Sequence, residues 1–225
     1  MGRRVYLLVE FLILFVGVPA AMTELPRRGL LLVTLGVFAL GCLVLVLRDR
    51  EFDRRQLWRG SAVGPAIGAL MLRFVGLAAV LGGVTWVFAP DRLFGFVRAK
   101  PEVWAIVMVA YPVLSVYPQE LVYRAFMFQR YRALFDARWF MIVMSGLAFS
   151  WMHIVFLNWQ APALTLIGGL LFAWTYDRTR SLAAASIEHA LFGCFVFTIG
   201  LGAYFYHGTA ASVEQAAEVI RQVGQ

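Results

Sequence analysis

Seven long apolar stretches, separated by short charged or proline-containing connections, leave this chain few ways to fold. They run over residues 5–22, 29–47, 64–89, 103–130, 139–157, 161–176 and 182–206. A bilayer core is crossed by about 20 apolar residues in helical form. Lipid offers no partner to a backbone N–H or C=O, so each stretch must satisfy its own by forming a helix. The expected fold is therefore all-α, a polytopic transmembrane bundle of about seven to eight helices. Composition agrees: 61% of residues are hydrophobic and 15% charged, where a soluble domain carries about a quarter charged. Without an internal repeat, linker or low-complexity tract, residues 1–225 read as one integral membrane domain. The tail from about 207 to 225 reads as a short amphipathic helix outside the bilayer.

The net charge of +7 comes from 20 basic residues, all arginine except Lys100. Most sit between apolar stretches, where they anchor helix ends at lipid headgroups, so they do not form a nucleic-acid footprint. Arg3, Arg4, Arg48, Arg50, Arg54, Arg55, Arg59, Arg130, Arg132, Arg138, Arg178 and Arg180 fall on one side if the N-terminus is inside. Arg27, Arg28, Arg92, Arg98 and Lys100 fall on the other. The excess predicts a cytoplasmic N-terminus, in a bacterial inner membrane. The charged run "RDREFDRRQLWRG" predicts an interfacial elbow helix that turns into the third span. The N-terminal "MGRRVYLLVEFLILFVGVPAAM" imitates a signal peptide, but its apolar run is long enough to span and reads as a helix. Cys42 and Cys194 lie inside apolar runs, with neither disulfide-framework nor zinc-knuckle spacing.

Against this background the polar residues at membrane depth stand out, because each costs a few kcal/mol and needs a partner or a function. They are Glu10, Arg73, Glu120, Arg124, His153, Glu188 and His189. In "YPQELVYRAF", Glu120 and Arg124 share a helix face, which keeps the carboxylate ionised. Gln119 and Tyr123 form a second pair at the same spacing, so a polar patch facing a hydrated cavity is expected. Pro112 and Pro118 should kink or break the helix ahead of it. In "FSWMH", Phe149 lies one turn before His153; in "SIEHALFG", Glu188 precedes His189. Singly, each histidine reads as an interhelical hydrogen-bonding residue. Together, a carboxylate and two imidazoles on three apolar segments can converge on one water. A carboxylate–histidine pair can act as general base, with the second histidine stabilising charge on a carbonyl oxygen. Alternatively, Glu120, His153 and His189 suffice as ligands for a catalytic zinc. Spacing leaves both open.

The succession "QELVYR", "FSWMH" and "YDRTRSLAAASIEHA" resembles the three motifs of the CPBP (CAAX protease and bacteriocin-processing, or Abi) intramembrane proteases: Glu-Glu-x-x-x-Arg, Phe-x-x-x-His and His-x-x-x-Asn. The resemblance covers about residues 103–205. It implies a helical bundle with a buried water activated by glutamate and histidine, without a required cofactor. It also implies hydrolysis of a peptide bond near the C-terminus of a membrane-anchored protein or hydrophobic peptide. Glu120 is then the base, oriented by Arg124. His153 positions the water or shares its proton, His189 polarises the scissile carbonyl, and Gln119, Phe149, Tyr123, Glu188 and Gly193 support them.

Two positions depart from the pattern. The family's first glutamate corresponds to Gln119, which cannot act as a base, and its final asparagine corresponds to Gly193. Three readings follow: Glu120 takes over as base, Glu188 supplies the working carboxylate, or the chain is a non-catalytic relative that binds a peptide in the same cavity.

Overall fold

The computed structural model describes residues 2–24 and 31–205. Seven helices account for most of them: α1 (Gly2–Met22), α2 (Leu31–Arg48), α3 (Gly60–Phe88), α4 (Pro101–Arg130), α5 (Arg138–Phe156), α6 (Gln160–Thr179) and α7 (Leu182–Thr198). Among the described residues there is no strand. The first five helices are long and apolar enough to cross a membrane. The expected amphipathic tail lies outside the described residues.

Position in the bundle follows from which residues each helix exposes. α3 shows Leu72, Val75, Trp86 and Phe88 at its surface, an apolar face suited to lipid. α7 is the opposite case. Its Leu182, Ala183, Ala184, Ala185, Glu188, His189, Phe192 and Phe197 are all buried, and it packs against α3, α4 and α6. At about 1.5 Å per residue, its 17 residues fall short of a bilayer core of about 30 Å, which a helix enclosed by protein does not need to span. α5 and α6 meet along small residues: a Cβ on Gly169 would stand 3.2 Å from the Cα of Gly146. An aromatic cluster of Phe11, Phe15, Tyr123, Phe126, Tyr131 and Phe135 fills the space between α1 and α4.

The prolines of α4 act differently from expectation. The helix stays continuous from Pro101 to Arg130 but widens into a π turn over Pro112–Val116, where the N–H of Tyr117 reaches back to the Pro112 carbonyl. α1 shows the same device at Ile13–Gly17, with Val18 N–H on the Ile13 carbonyl. In each case a proline stands two residues beyond the turn, at Pro118 and Pro19. A proline lacks the N–H that would close the ordinary i−4 bond, so the ladder is re-satisfied by opening one turn. A further π turn, Leu121–Phe126, carries Arg124.

The charged run between α2 and α3 forms a short elbow, a 3₁₀ turn at Arg54–Trp58 capped by Asp53, whose Oδ1 accepts from Arg55 N–H at 3.0 Å. It is stitched to the α6–α7 turn through Tyr176 to Gln56 (2.9 Å) and Ser181 to the Arg59 carbonyl (2.9 Å). The seventh span ends earlier than the expected residue 206. α7 stops at Thr198, Gly200 adopts φ +90°, and a Cβ there would lie 2.1 Å from the Arg92 carbonyl oxygen. Leu201–Phe205 then turns back as 3₁₀ helix.

Candidate active site

Glu120 sits at the entry of the second π turn of α4 and is fully enclosed. Its two oxygens have different neighbours. Oε1 accepts from Nδ1 of His189 on α7 at 2.9 Å. Oε2 lies 3.2 Å from Arg124 Nε, an ion pair too misaligned to count as a hydrogen bond. Arg124, also fully enclosed, donates to Ser145 Oγ on α5 at 2.9 Å and to the Gly169 carbonyl on α6 at 3.3 Å. Its guanidinium lies over the Phe149 ring, 5.1 Å from the centroid. Ser145 passes the connection on, donating to the Tyr123 carbonyl at 2.7 Å. One charge pair thus ties together four helices.

His189 is clamped as well as hydrogen-bonded. Its ring stacks on Phe172 at 4.6 Å and 14°, and meets Phe149 edge-on at 5.4 Å. A carboxylate only accepts, so Nδ1 carries the proton given to Glu120, and in the neutral ring Nε2 is the basic nitrogen. Nε2 faces Tyr111, whose hydroxyl is 3.0 Å away. His153 is fixed by the same logic. Its Nδ1 lies 2.7 Å from the Phe149 carbonyl, which can only accept, so the lone pair is again on Nε2. Phe149 therefore touches both imidazoles, the His153 ring at 4.8 Å.

These groups border a cavity of about 450 Å³. Tyr111, Gln119, Phe149, His153, His189 and Gly193 line it; Glu120 does not. The rest of the wall is aliphatic and aromatic, and its members Leu32, Val80, Leu114 and Ile167 are exposed on the apolar outside of the bundle. Phe205, from the turn after α7, also borders it and packs on His153 at 6.0 Å.

The structure thus brings Glu120, Arg124 and His189 into direct contact and sets His153 on the same cavity. Two expected neighbours lie elsewhere. Glu188 receives Arg73 Nε at 2.8 Å and Thr175 Oγ1 at 2.5 Å, in a separate buried cluster between α3, α6 and α7. Tyr123 is not paired with Gln119: its ring lies between Phe15 (5.6 Å) and Phe149 (5.3 Å), while Gln119 donates to Ser115 at 2.7 Å. The π turns break the single polar stripe that an ideal helix predicts. Zinc ligation by Glu120, His153 and His189 does not fit the donor set. Glu120 and His189 are spent on each other, and among the described residues no three His, Cys, Asp or Glu side chains converge.

Sequence reading missed Tyr111 and Ser145. The signal for Tyr111 was available in Gly193, four residues after His189: a Cβ there would stand 2.4 Å from the Tyr111 hydroxyl. Ser145 carries no such signal, being a small residue within an apolar helix.

Fold and site together define a helical membrane protein with a Glu–His–Arg centre buried beside an apolar cavity. Residues 100–195 match the family described as type II CAAX prenyl endopeptidase Rce1-like. No curated protein and no solved structure matches the chain. The matched segment begins as α4 starts and ends within α7, enclosing every residue of the centre.

Proposed function

We propose that the protein is an intramembrane endopeptidase that hydrolyses a peptide bond near the C-terminus of a membrane-anchored protein or hydrophobic peptide. The observation that carries this reading is the 2.9 Å contact between Glu120 Oε1 and His189 Nδ1, with the other face of the imidazole turned to the cavity. The endopeptidase family match over residues 100–195 supports it.

Because both oxygens of Glu120 are enclosed, the carboxylate acts on water through His189. It fixes the tautomer and balances the charge that the ring acquires. His189 Nε2 takes a proton from water, the resulting hydroxide adds to the scissile carbonyl carbon, and the C=O electron pair moves to oxygen. The imidazolium then returns that proton to the amide nitrogen as the C–N bond breaks, leaving a carboxylic acid and an amine. His153 Nε2 is a second acceptor on the cavity wall and orients the water. Gln119, whose amide lines the cavity, hydrogen-bonds the substrate backbone. Glu188 is held by Arg73 and Thr175 and has a structural role.

The cavity's apolar rim suits a substrate arriving sideways from the bilayer, including a C-terminus carrying a prenyl group. An N-terminus in the cytoplasm of a bacterial cell would put the arginine-rich end inside. A zinc-dependent version would require Glu120 and His189 to release each other.

The test is release of a C-terminal tag from membrane-anchored peptides, one of them prenylated at a CAAX-type terminus, in vesicles containing the purified protein. Glu120→Gln and His189→Ala should each slow cleavage by about 10²-fold or more, and His153→Ala by at least about tenfold. A chelator should leave the rate unchanged. Cleavage by all three folded variants at the parental rate refutes the reading. Peptide binding without cleavage, with activity appearing only in Gln119→Glu, would identify a disabled relative.

A further inference from the structure

We infer that Tyr111 is a catalytic residue of this site: its phenol donates a hydrogen bond to the oxygen of the scissile carbonyl as negative charge develops there. The inference rests on the peptidase reading above and adds to it the group that stabilises the oxyanion.

Three observations place the phenol for this task. Tyr111 lies on α4 two turns before Gln119 and lines the cavity beside His189. Its hydroxyl is 3.0 Å from His189 Nε2, the nitrogen that receives the water's proton. Its ring is held edge-on against Phe197 at 5.2 Å and 73°. The fit also depends on the opening that lets the phenol in. A Cβ on Gly193 would stand 2.4 Å from Cε1 and 2.4 Å from the hydroxyl of Tyr111. Any side chain at 193 would push the phenol off the imidazole, so the glycine and the tyrosine are two halves of one fit.

The hydrogen-bond directions then decide the role. Nδ1–H of His189 is committed to Glu120, which leaves Nε2 as an acceptor and the phenol as the donor to it. When a peptide and a water enter, the water occupies Nε2 and the phenol's hydrogen is released to a new acceptor. That acceptor is the carbonyl oxygen. The water attacks the carbonyl carbon from the imidazole, so its oxygen lies within reach of a hydroxyl that starts 3.0 Å from the same nitrogen. No proton leaves the phenol. The bond strengthens while the carbonyl pair resides on oxygen and relaxes when the C–N bond breaks and the carbonyl re-forms. Against a mostly apolar wall such a donor is worth far more than in solution.

Tyr111→Phe keeps the ring seated over Gly193 and removes only the hydroxyl. With the tagged membrane-anchored peptide in vesicles, kcat should fall about 10²-fold while KM stays within about threefold, the pattern for a donor used only in the transition state. A thermal midpoint close to the parent's would show that the fold is intact. Tyr111→Ala combined with Gly193→Asn places an amide donor in the vacated space and should recover at least about tenfold over Tyr111→Ala alone. If Tyr111→Phe retains kcat within about threefold, or the double variant is no faster than Tyr111→Ala, the inference is overturned while the peptidase stands. If the parent releases no tag, both fall.

Discussion

Arg124 is fully enclosed and bonded to Ser145 and the Gly169 carbonyl, with Glu120 beside it and Phe149 beneath it. Burying a charge is costly, and the loss is repaid only when the partners stay in place. Removing one member of such a pair leaves the other uncompensated. Arg124→Met should therefore destabilise the protein by about 3–5 kcal/mol, read as a lower thermal midpoint in detergent, with activity lost alongside. Adding Glu120→Gln to Arg124→Met should restore part of that stability and none of the activity. A double variant as unstable as Arg124→Met would mean that the arginine works through its hydrogen bonds to Ser145 and Gly169 alone. The separation of stability from rate matters here because Glu120 faces both ways: it neutralises a guanidinium on one side and, in the proposed mechanism, fixes the imidazole that activates water on the other.

At the scale of the helix, what the sequence revealed depended on how local the cause was. Apolar runs of spanning length are set by the residues themselves, and the seven expected segments correspond to α1–α7 within a few residues at most ends. The early stop of α7 was hidden because it is imposed by the close approach of the Arg92 carbonyl to Gly200, a contact across the fold. The π turns were half-visible. Pro112 and Pro118 announced a disturbance in α4, but whether a helix kinks or widens depends on the neighbours that hold its axis. The pairing of Glu120 with Arg124 was legible in their four-residue spacing, whereas the direct bond of His189 to Glu120, with the carboxylate set back from the cavity wall, depends on how α4 and α7 pack and was not; the separation of Glu188 from His189 follows from adjacent residues facing about 100° apart. The contact of α5 with α6 is a further consequence of helix packing that can be tested. A Cβ on Gly169 would meet Phe149 at 3.0 Å and the Gly146 carbonyl oxygen at 3.1 Å, whereas one on Gly36 in α2 meets nothing within 4 Å. Gly169→Ala should cost about 1–3 kcal/mol by overpacking and slow cleavage, since Phe149 and Arg124 both rest on that seam. Gly36→Ala should be neutral in both respects. Equal effects of the two substitutions on the thermal midpoint would argue against the close-packed seam.

Across the whole molecule, charge and opening are arranged on different axes. The arginine-rich connections gather at one end, where Arg132 pairs with Glu51, Gln129 reaches Asp49 at 2.6 Å and the elbow is tied to the α6–α7 turn. The opposite end carries Arg92, Arg98 and Lys100, and there Arg92 bonds the Tyr204 hydroxyl at 2.7 Å and Asn158 the Tyr204 carbonyl at 2.8 Å. The excess of arginine at the first end predicts that it faces the cytoplasm. The cavity's exposed apolar rim, by contrast, lies along the side of the bundle, so orientation decides from which compartment a substrate's C-terminus is drawn. Single cysteines at Asp136, between α4 and α5, and at Asp91, between α3 and α4, separate the two ends. In a background with Cys42 and Cys194 replaced by alanine, a membrane-impermeant thiol reagent added to intact cells should label Asp91→Cys and reach Asp136→Cys only after permeabilisation. The reverse pattern would invert the molecule, and the peptide whose cleavage is sought would then have to present its C-terminus at the outer face.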